Sequence, residues 1–129
     1  MQQPVETATA AMWIDDEGIL HIVAHAGIDE DLASAERNVV ICRGLAGEEK
    51  RLMLCDISRM RSMSRAARVL YSGPKAAEYT SACALLIGSA VSRMIGNFFL
   101  GLNRNPMPTR LFTSESEAIA WLRMHKRTS

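Results

Sequence analysis

The chain has 129 residues, 48% of them hydrophobic, and a net charge of +1, which suits one domain with a core of its own. Its apolar runs are short and its first residues lack a basic and then apolar pattern, so we expect no membrane span and no secretory signal. Because three cysteines occur without a Cys-x-x-Cys motif, we expect a cytoplasmic protein whose Cys42, Cys55 and Cys83 thiols are reduced and pack in the core.

Charge is distributed unevenly along the chain. Residues 1–36 contain eight acids and no Lys or Arg, whereas residues 37–129 contain fifteen Lys or Arg and six acids. This pattern is typical of solvated surface charge, and the alternative is a basic surface that meets an anionic partner. Because the total charge is near neutral and aromatic residues are few, we expect no nucleic-acid binding.

The chain begins with a loose tail, residues 1–7, and two β-prone runs. The runs Thr7–Asp15 and Ile19–His25 are separated by a short Asp/Gly segment, which predicts an antiparallel hairpin. On the second strand His21 and His25 share one face but stand roughly 13 Å apart at ~3.3 Å per residue, too far to share a metal. We therefore expect a polar strand face that is open to solvent or to a second copy in a homodimer.

The middle of the chain predicts a helix, a buried strand and an interrupted helix. The first helix has Asp29 or Asp31 as its N-cap and Gly44 as its natural C-cap. The strand, residues 51–57, is followed by a polar turn, and Ser64 can cap the next helix. Gly73-Pro74 must interrupt that helix, because proline cannot continue the hydrogen-bond ladder but is a good first residue of a new helix.

The last part of the chain alternates strands and helices. Ala82–Ile87 is a continuous apolar run, typical of an inner parallel strand. Residues 91–102 form the clearest amphipathic helix, residues 109–112 a short strand, and a capping box at Ser114 opens the last helix. The order ββαβαβαβα predicts an α/β fold with a mixed sheet, in which parallel strands and right-handed crossovers follow the N-terminal antiparallel hairpin.

The polar turns after the parallel strands form the candidate site. Ligands of open α/β sheets bind at the carboxyl ends of the strands, where helix N-termini favour anions. The predicted phosphate or anion edge comprises Asp56, Ser58, Arg59, Arg61, Ser62, Ser64, Arg65, Ser89 and Arg93. The alternative is that these residues are helix caps and solvated charges alone.

The sequence contains none of the motifs that would indicate an enzyme. It has no Gly-x-Ser-x-Gly elbow, no P-loop and no Gly-x-Gly-x-x-Gly. The serines have no base near them in sequence, and the histidines lack a third ligand. We therefore expect no catalytic residue, no metal and no cofactor.

The chain resembles the small bacterial STAS-like domains, which are related to anti-sigma-factor antagonists. The resemblance rests on Leu54-Cys55-Asp56-Ile57 as the central strand, on the serine-containing turn and helix after it, and on the strand 84–88 with its helix. The stretches 97–103 and 108–112 are similar to the signature of an uncharacterised branch. The resemblance implies one STAS-like domain over residues 8–126, between the tail 1–7 and a second tail, 127–129.

The resemblance also implies a non-enzymatic regulatory or protein-interaction module. In antagonist domains a partner kinase phosphorylates a serine in an Asp-Ser-Ser/Thr-Gly motif after the central strand. The corresponding segment here is Ser62–Ala66, which lacks the Asp and the Gly. We expect a kinase or an anti-sigma factor as the protein partner, and phosphorylation of Ser62 or Ser64. The alternative is a domain that binds a small anionic or lipid-like ligand, at this edge or in a pocket beneath the helix 91–102.

Overall fold

The computed structural model describes residues 3–101 and 107–126. In that part of the chain the strands are Val5–Glu6 (β1), Ala10–Ile14 (β2), Leu20–Ala24 (β3), Asp29–Glu30 (β4), Arg51–Asp56 (β5), Ser62–Met63 (β6), Thr80–Leu86 (β7) and Thr109–Phe112 (β8). The helices are Leu32–Ala46 (α1), Arg65–Tyr71 (α2), Pro74–Ala77 (α3), Ala90–Leu100 (α4) and Glu115–Lys126 (α5).

One mixed sheet organises the fold, in the strand order β1-β2-β3-β5-β7-β8. The first three strands are antiparallel, with Met12 opposite Ile22, and β3, β5, β7 and β8 are parallel neighbours. The predicted hairpin and parallel part are therefore confirmed. A second, two-stranded sheet of β4 and β6 was not predicted, because strands of two residues carry no alternating pattern.

The sheet separates two apolar cores. The larger core lies between the sheet and helices α1–α4, and the smaller core lies between the sheet and α5. Because successive side chains of a strand point to opposite faces of the sheet, neighbouring residues belong to different cores. Met53 and Cys83 belong to the larger core, and Leu54 and Ala84 to the smaller one.

The helix ends follow capping rules, with one correction. Asp31 is the N-cap of α1, since its Oδ1 accepts from the Ser34 backbone N–H at 2.9 Å. The expected stop at Gly44 is wrong: α1 continues to Ala46, which is fully buried. Gly47 is the C-cap instead, at φ +73°, a backbone conformation that favours glycine.

The second half of the fold agrees with the local sequence signals. Helix α2 ends at Tyr71 and α3 begins at Pro74, so the predicted interruption at Gly73-Pro74 is confirmed. At Ser114, Oγ accepts from the Glu117 backbone N–H at 3.3 Å, which is one half of the predicted capping box. The predicted end of the amphipathic helix, residue 102, lies outside the described residues.

Two expectations for the first strands need correction. Val5–Glu6, inside the expected tail, pairs with β2, and the side chain of Glu6 lies 3.2 Å from His25 Nε2. His21 is buried rather than open to solvent: its ring stacks on Trp13 at 4.8 Å and its Nε2 lies 2.8 Å from Asp15 Oδ2. The physical reason is the hairpin register, which sets Trp13 directly opposite His21.

Candidate functional site

The loop between β5 and α2 is fixed against the loop after β3. The backbone N–H of Arg61 donates to Ile28 O at 2.9 Å, and that of Ser64 donates to Glu30 O at 2.9 Å. The parallel pair β4–β6 adds the register Asp29 opposite Ser62. The turn after the central strand is therefore held by main-chain hydrogen bonds.

The same loop also lies against the loop after β7. A Cβ atom at Gly88 would come within 3.1 Å of the Ser58 Cβ, so a side chain at position 88 would crowd Ser58. Residues 56–65 and 88–93 are thus brought together at one end of the parallel strands, and we call this surface the serine edge. The convergence expected from the topology is present.

At the start of the serine edge Asp56 is occupied by its own loop. Its Oδ1 accepts from the Ser58 backbone N–H at 2.9 Å and from Ser58 Oγ at 2.6 Å. This is the local turn that aspartate commonly makes two residues ahead. The Asp56–Ser58 hydrogen bonds therefore fix the shape of the loop. The exposed part of the serine edge is formed by the residues that follow.

An exposed ion pair lies at the middle of the edge. The Arg61 guanidinium donates to both carboxylate oxygens of Asp29, with Nε 2.9 Å from Oδ1, and Ser62 Oγ donates to Asp29 Oδ1 at 2.6 Å. These hydrogen bonds, from Arg61 first and then Ser62, hold the pKa of the Asp29 carboxyl well below its usual range. Sequence reasoning treated Asp29 as a helix cap and missed this pair, since its partners lie more than thirty positions away.

Two serines of the edge are helix caps. Ser64 Oγ accepts from the Ala67 backbone N–H at 3.1 Å at the start of α2. Ser89 Oγ accepts from the Ser92 backbone N–H at 3.0 Å at the start of α4, and Ser92 Oγ accepts in turn from the Ser89 backbone N–H at 2.8 Å. Both caps satisfy backbone donors that a helix start would otherwise leave unpaired.

Three arginines of the edge are exposed, and within the described residues their side chains form no ion pair: Arg59, Arg65 and Arg93. Arg59 and Arg65 flank the exposed serines Ser62 and Ser64. Arg93 lines an open groove beside β8 together with Arg110 and Glu117. The positive charge at this end of the molecule is therefore divided between the β5–α2 loop and the groove.

A cavity lies beneath the helices, on the α1–α4 side of the sheet. It has a volume of about 60 Å³ and is lined almost entirely by apolar side chains, including Phe99 of α4. All three cysteines line it as well. Burial raises the pKa of the Cys42 and Cys83 thiols to about 12 and that of Cys55 well above its usual value. The thiols therefore pack in the core, as expected.

A buried carboxylate forms one wall of this cavity. Glu30 is 3% exposed, and its carboxylate accepts hydrogen bonds from Ser34 Oγ, from Tyr71 OH at 3.1 Å and from Asn38 Nδ2 at 3.2 Å. Burial, and next the charge of Glu30, raise the pKa of the Tyr71 hydroxyl far above its usual range. Sequence reasoning missed this network. Asn38 is a polar residue on the inner, buried face of α1, and its position in the helical pattern was the feature that could have indicated a buried polar partner.

Through residues 3–101 and 107–126, every helix is too short or too polar to cross a lipid bilayer. Over the same residues, His, Cys, Asp and Glu side chains form no group of three that could hold a metal ion.

Comparisons with known proteins agree with this architecture. Residues 12–126 match the model of a family described as a domain of unknown function, DUF7793. The crystal structure of an uncharacterised DUF3478-family protein with a SpoIIAA-like fold, from Shewanella loihica PV-4, superposes with a TM-score of 0.63 at 20% identity, over 94% of this chain and 99% of that one. The predicted STAS-like fold and its uncharacterised branch are thereby confirmed.

A second solved structure has a higher sequence identity to this chain but a lower TM-score. It is a protein of unknown function from Arthrobacter sp. fb24, with 34% identity over 93% of this chain and 97% of that one, at a TM-score of 0.32. No curated protein matches the chain.

Proposed function

We propose that this chain, which belongs to the family of the domain of unknown function DUF7793 and has a STAS-like fold, is a non-enzymatic protein-interaction module that phosphorylation of Ser62 or Ser64 regulates. The observation that carries the proposal is the serine edge: a loop held by main-chain hydrogen bonds on which both serines are exposed beside Arg59 and Arg65. A phosphate there meets cations and a helix start, both of which favour it.

Exposed apolar side chains next to the edge support a protein partner. Val91 and Met94, in the first turns of α4, are 37% and 61% exposed, and Val69 on α2 is 53% exposed. A polar loop beside exposed apolar side chains is the composition of a protein contact surface. In this proposal the partner is a kinase or an anti-sigma factor, and the protein acts in the cytoplasm. A homodimer stays a prediction, which light scattering after size exclusion measures.

The two serines would act in opposite ways. Phosphate on Ser62 adds negative charge beside Asp29 and competes for Arg61, so it would separate the Asp29–Arg61 pair. Phosphate on Ser64 lies at the N-terminus of α2, where it would strengthen the cap. Phosphorylation of Ser62 therefore loosens the serine edge, whereas phosphorylation of Ser64 keeps its shape and changes its charge.

Partner retention by charge-mimicking variants tests the proposal. The full chain with Ser62→Asp, with Ser64→Asp or with the matched control Ser116→Asp, on α5, is recovered from the host cells and its bound proteins are quantified. We expect one of the first two variants to change the amount of a bound protein by about tenfold, which equals ~1.4 kcal/mol of binding. Equal retention by all three variants and by the wild type would argue against the proposal.

A second candidate function is the binding of a small ligand, and two observations favour it. Arg59, Arg65 and Arg93 offer cations to a small anion at the serine edge, and an apolar cavity of about 60 Å³ lies beneath the helices, where a lipid-like molecule would bind. Titration with inorganic phosphate, followed by backbone NMR shifts, tests the anion site. Shifts confined to residues 57–65 would favour the edge, and no shift at millimolar phosphate would exclude an anion site of useful affinity.

A further inference from the structure

Strand β8 is an edge of the main sheet, and part of its main chain faces away from the sheet. Pro108 O accepts a hydrogen bond from the Cys83 backbone N–H, and Phe112 O accepts one from the Ile87 backbone N–H, each at 2.9 Å. Because these groups alternate sides along a strand, the N–H and C=O of Leu111 point away from β7. In the described part of the chain no strand lies on that side and no hydrogen bond reaches these two groups. Unpaired main-chain groups of this kind can pair with a further strand.

An open groove lies at the carboxyl end of β8, and both helix layers contribute to it. Leu111, which packs against the larger core, lines the groove together with Arg93 of α4. Phe112, which belongs to the smaller core, lines it together with Glu117 of α5. The groove is at the opposite end of β8 from residue 107, where the described chain resumes. A segment paired with Leu111 would therefore lie beside this groove.

The groove carries more positive than negative charge. Arg93 and Arg110 line it, are exposed and form no ion pair within the described residues, whereas Glu117 is the one carboxylate of the described lining. The Arg110 guanidinium lies 5.2 Å from the centre of the Phe112 ring, a cation–π contact that holds it at the groove. The two arginines belong to opposite faces of the sheet, and the side chains of a strand alternate between those faces. An acidic side chain on either face of an added strand therefore meets a cation.

We infer that the free edge of β8 binds an extended, acidic segment of a partner protein, which pairs with the Leu111 main chain and places carboxylates beside Arg93 and Arg110. The inference rests on the proposed interaction function and names the chemistry of the partner's segment, and it requires no phosphate on Ser62 or Ser64. Main-chain hydrogen bonds give such a contact its affinity, and the two arginines give it a preference for acidic side chains.

Peptides matched in length test the charge preference. The isotope-labelled full chain is titrated with the peptide TVEVEVT, with its glutamine analogue TVQVQVT and with its lysine analogue TVKVKVT, and dissociation constants are taken from backbone NMR shifts. We expect TVEVEVT to bind about fivefold more tightly than TVQVQVT, the upper limit for one exposed ion pair, and TVKVKVT to bind most weakly. If TVEVEVT causes no shift at millimolar concentration, or if all three bind equally, the inference is overturned. Either result is distinct from failure of the proposed function, which the proteins retained by the Ser62 and Ser64 variants measure.

The positions of the shifts locate the site. We expect the largest shifts at residues 110–113, and slower hydrogen exchange of the Leu111 amide in the complex because its N–H then donates to the peptide. Largest shifts at residues 57–65 would place the peptide on the serine edge and overturn the inference. Signals of residues 110–113 that change with the concentration of the chain alone would show that a second copy takes the edge, which would overturn it as well.

Charge variants test the two arginines. Arg93→Gln combined with Arg110→Gln should lower the affinity for TVEVEVT to that for TVQVQVT, because both cations of the groove are removed. The matched control Arg37→Gln combined with Lys75→Gln, at two exposed cations on α1 and α3, should bind as the wild type does. Glu117→Gln removes the groove carboxylate and should tighten TVEVEVT binding by about twofold. Unchanged binding by the Arg93/Arg110 variant, or equal weakening by the control, would contradict the inference.

Discussion

The two faces of the sheet differ in the side chains and the empty space that they bury. Under α5 the apolar core contains the fully buried Ala84, Ala118 and Leu122, with Phe112 at its margin. The buried His21, held by Asp15, lies opposite Leu54 on the same face of the sheet. Under α1–α4 the core encloses a cavity, the hydrogen-bonded carboxylate of Glu30 and the Thr80 hydroxyl, which has no hydrogen-bond partner in the described part of the chain. Buried polar groups and empty space both destabilise a fold, so their concentration on one side is a sign of function there.

Thiol reactivity offers the largest effect, because all three cysteines lie on the cavity side. With the pKa of Cys42 and Cys83 raised to about 12 against ~8.5 in the unfolded chain, the thiolate fraction at pH 8 is lower by roughly a thousandfold. We expect modification by a disulfide reagent to be slow by about that factor in the folded protein and fast in guanidinium. One rapidly modified thiol in the folded state would mean that the cavity side opens to solvent.

The α5 face should respond to truncation as a close-packed core. Leu122 is fully buried, and we expect Leu122→Ala to lower the free energy of unfolding by about 3 kcal/mol, from lost transfer energy and the cavity left behind. Met124→Ala on the same helix, where the side chain is 69% exposed, is the control and should change it by less than ~0.5 kcal/mol. Denaturant melts measure both. Equal effects would show that the core under α5 is not close-packed around Leu122.

The polar network of the other face gives a smaller effect. Asn38→Leu leaves the Glu30 carboxylate and Thr9 Oγ1 each without one of their hydrogen-bond donors, and we expect a loss of about 2 kcal/mol. Thr80→Val removes a hydroxyl that has no hydrogen-bond partner among residues 3–101 and 107–126, so stability should stay within ~0.5 kcal/mol of the wild type or rise. Chemical denaturation of the two variants side by side tests this. A Thr80→Val variant that loses as much stability as Asn38→Leu would show that Thr80 is satisfied after all.

Features that depend on residues close in sequence were predicted, whereas contacts between residues far apart in sequence were not. The hairpin, the stop at Gly73-Pro74 and the strand Thr109–Phe112 depend on neighbours in sequence, and all three are present. The Asp29–Arg61 pair and the contact of Asn38 with Tyr71 join residues more than thirty positions apart, so no local pattern announces them. His21 shows the same limit, because periodicity assigns its face of the strand but not the Trp13 ring that covers it.

The serine edge was predicted as a set of residues, and its internal division needed the structure. Sequence placed Asp56, Ser64 and Ser89 at the ends of strands and the starts of helices, where they lie. It could not separate the side chains that hold the loops, such as Asp56, from the exposed arginines, because that depends on which loops touch. The close approach of Gly88 to Ser58 is the contact that joins the two loops.

Phosphosite mapping of the chain taken from its host cells measures directly whether Ser62 or Ser64 is phosphorylated. Mass spectrometry that covers residues 56–68 and 88–93 assigns phosphate to individual serines. We expect phosphate on Ser62 or Ser64, the exposed serines that lie between Arg59 and Arg65 in the β5–α2 loop or beside them. Complete coverage without phosphate on Ser62 and Ser64 across growth conditions, or phosphate confined to serines outside the edge, would contradict it.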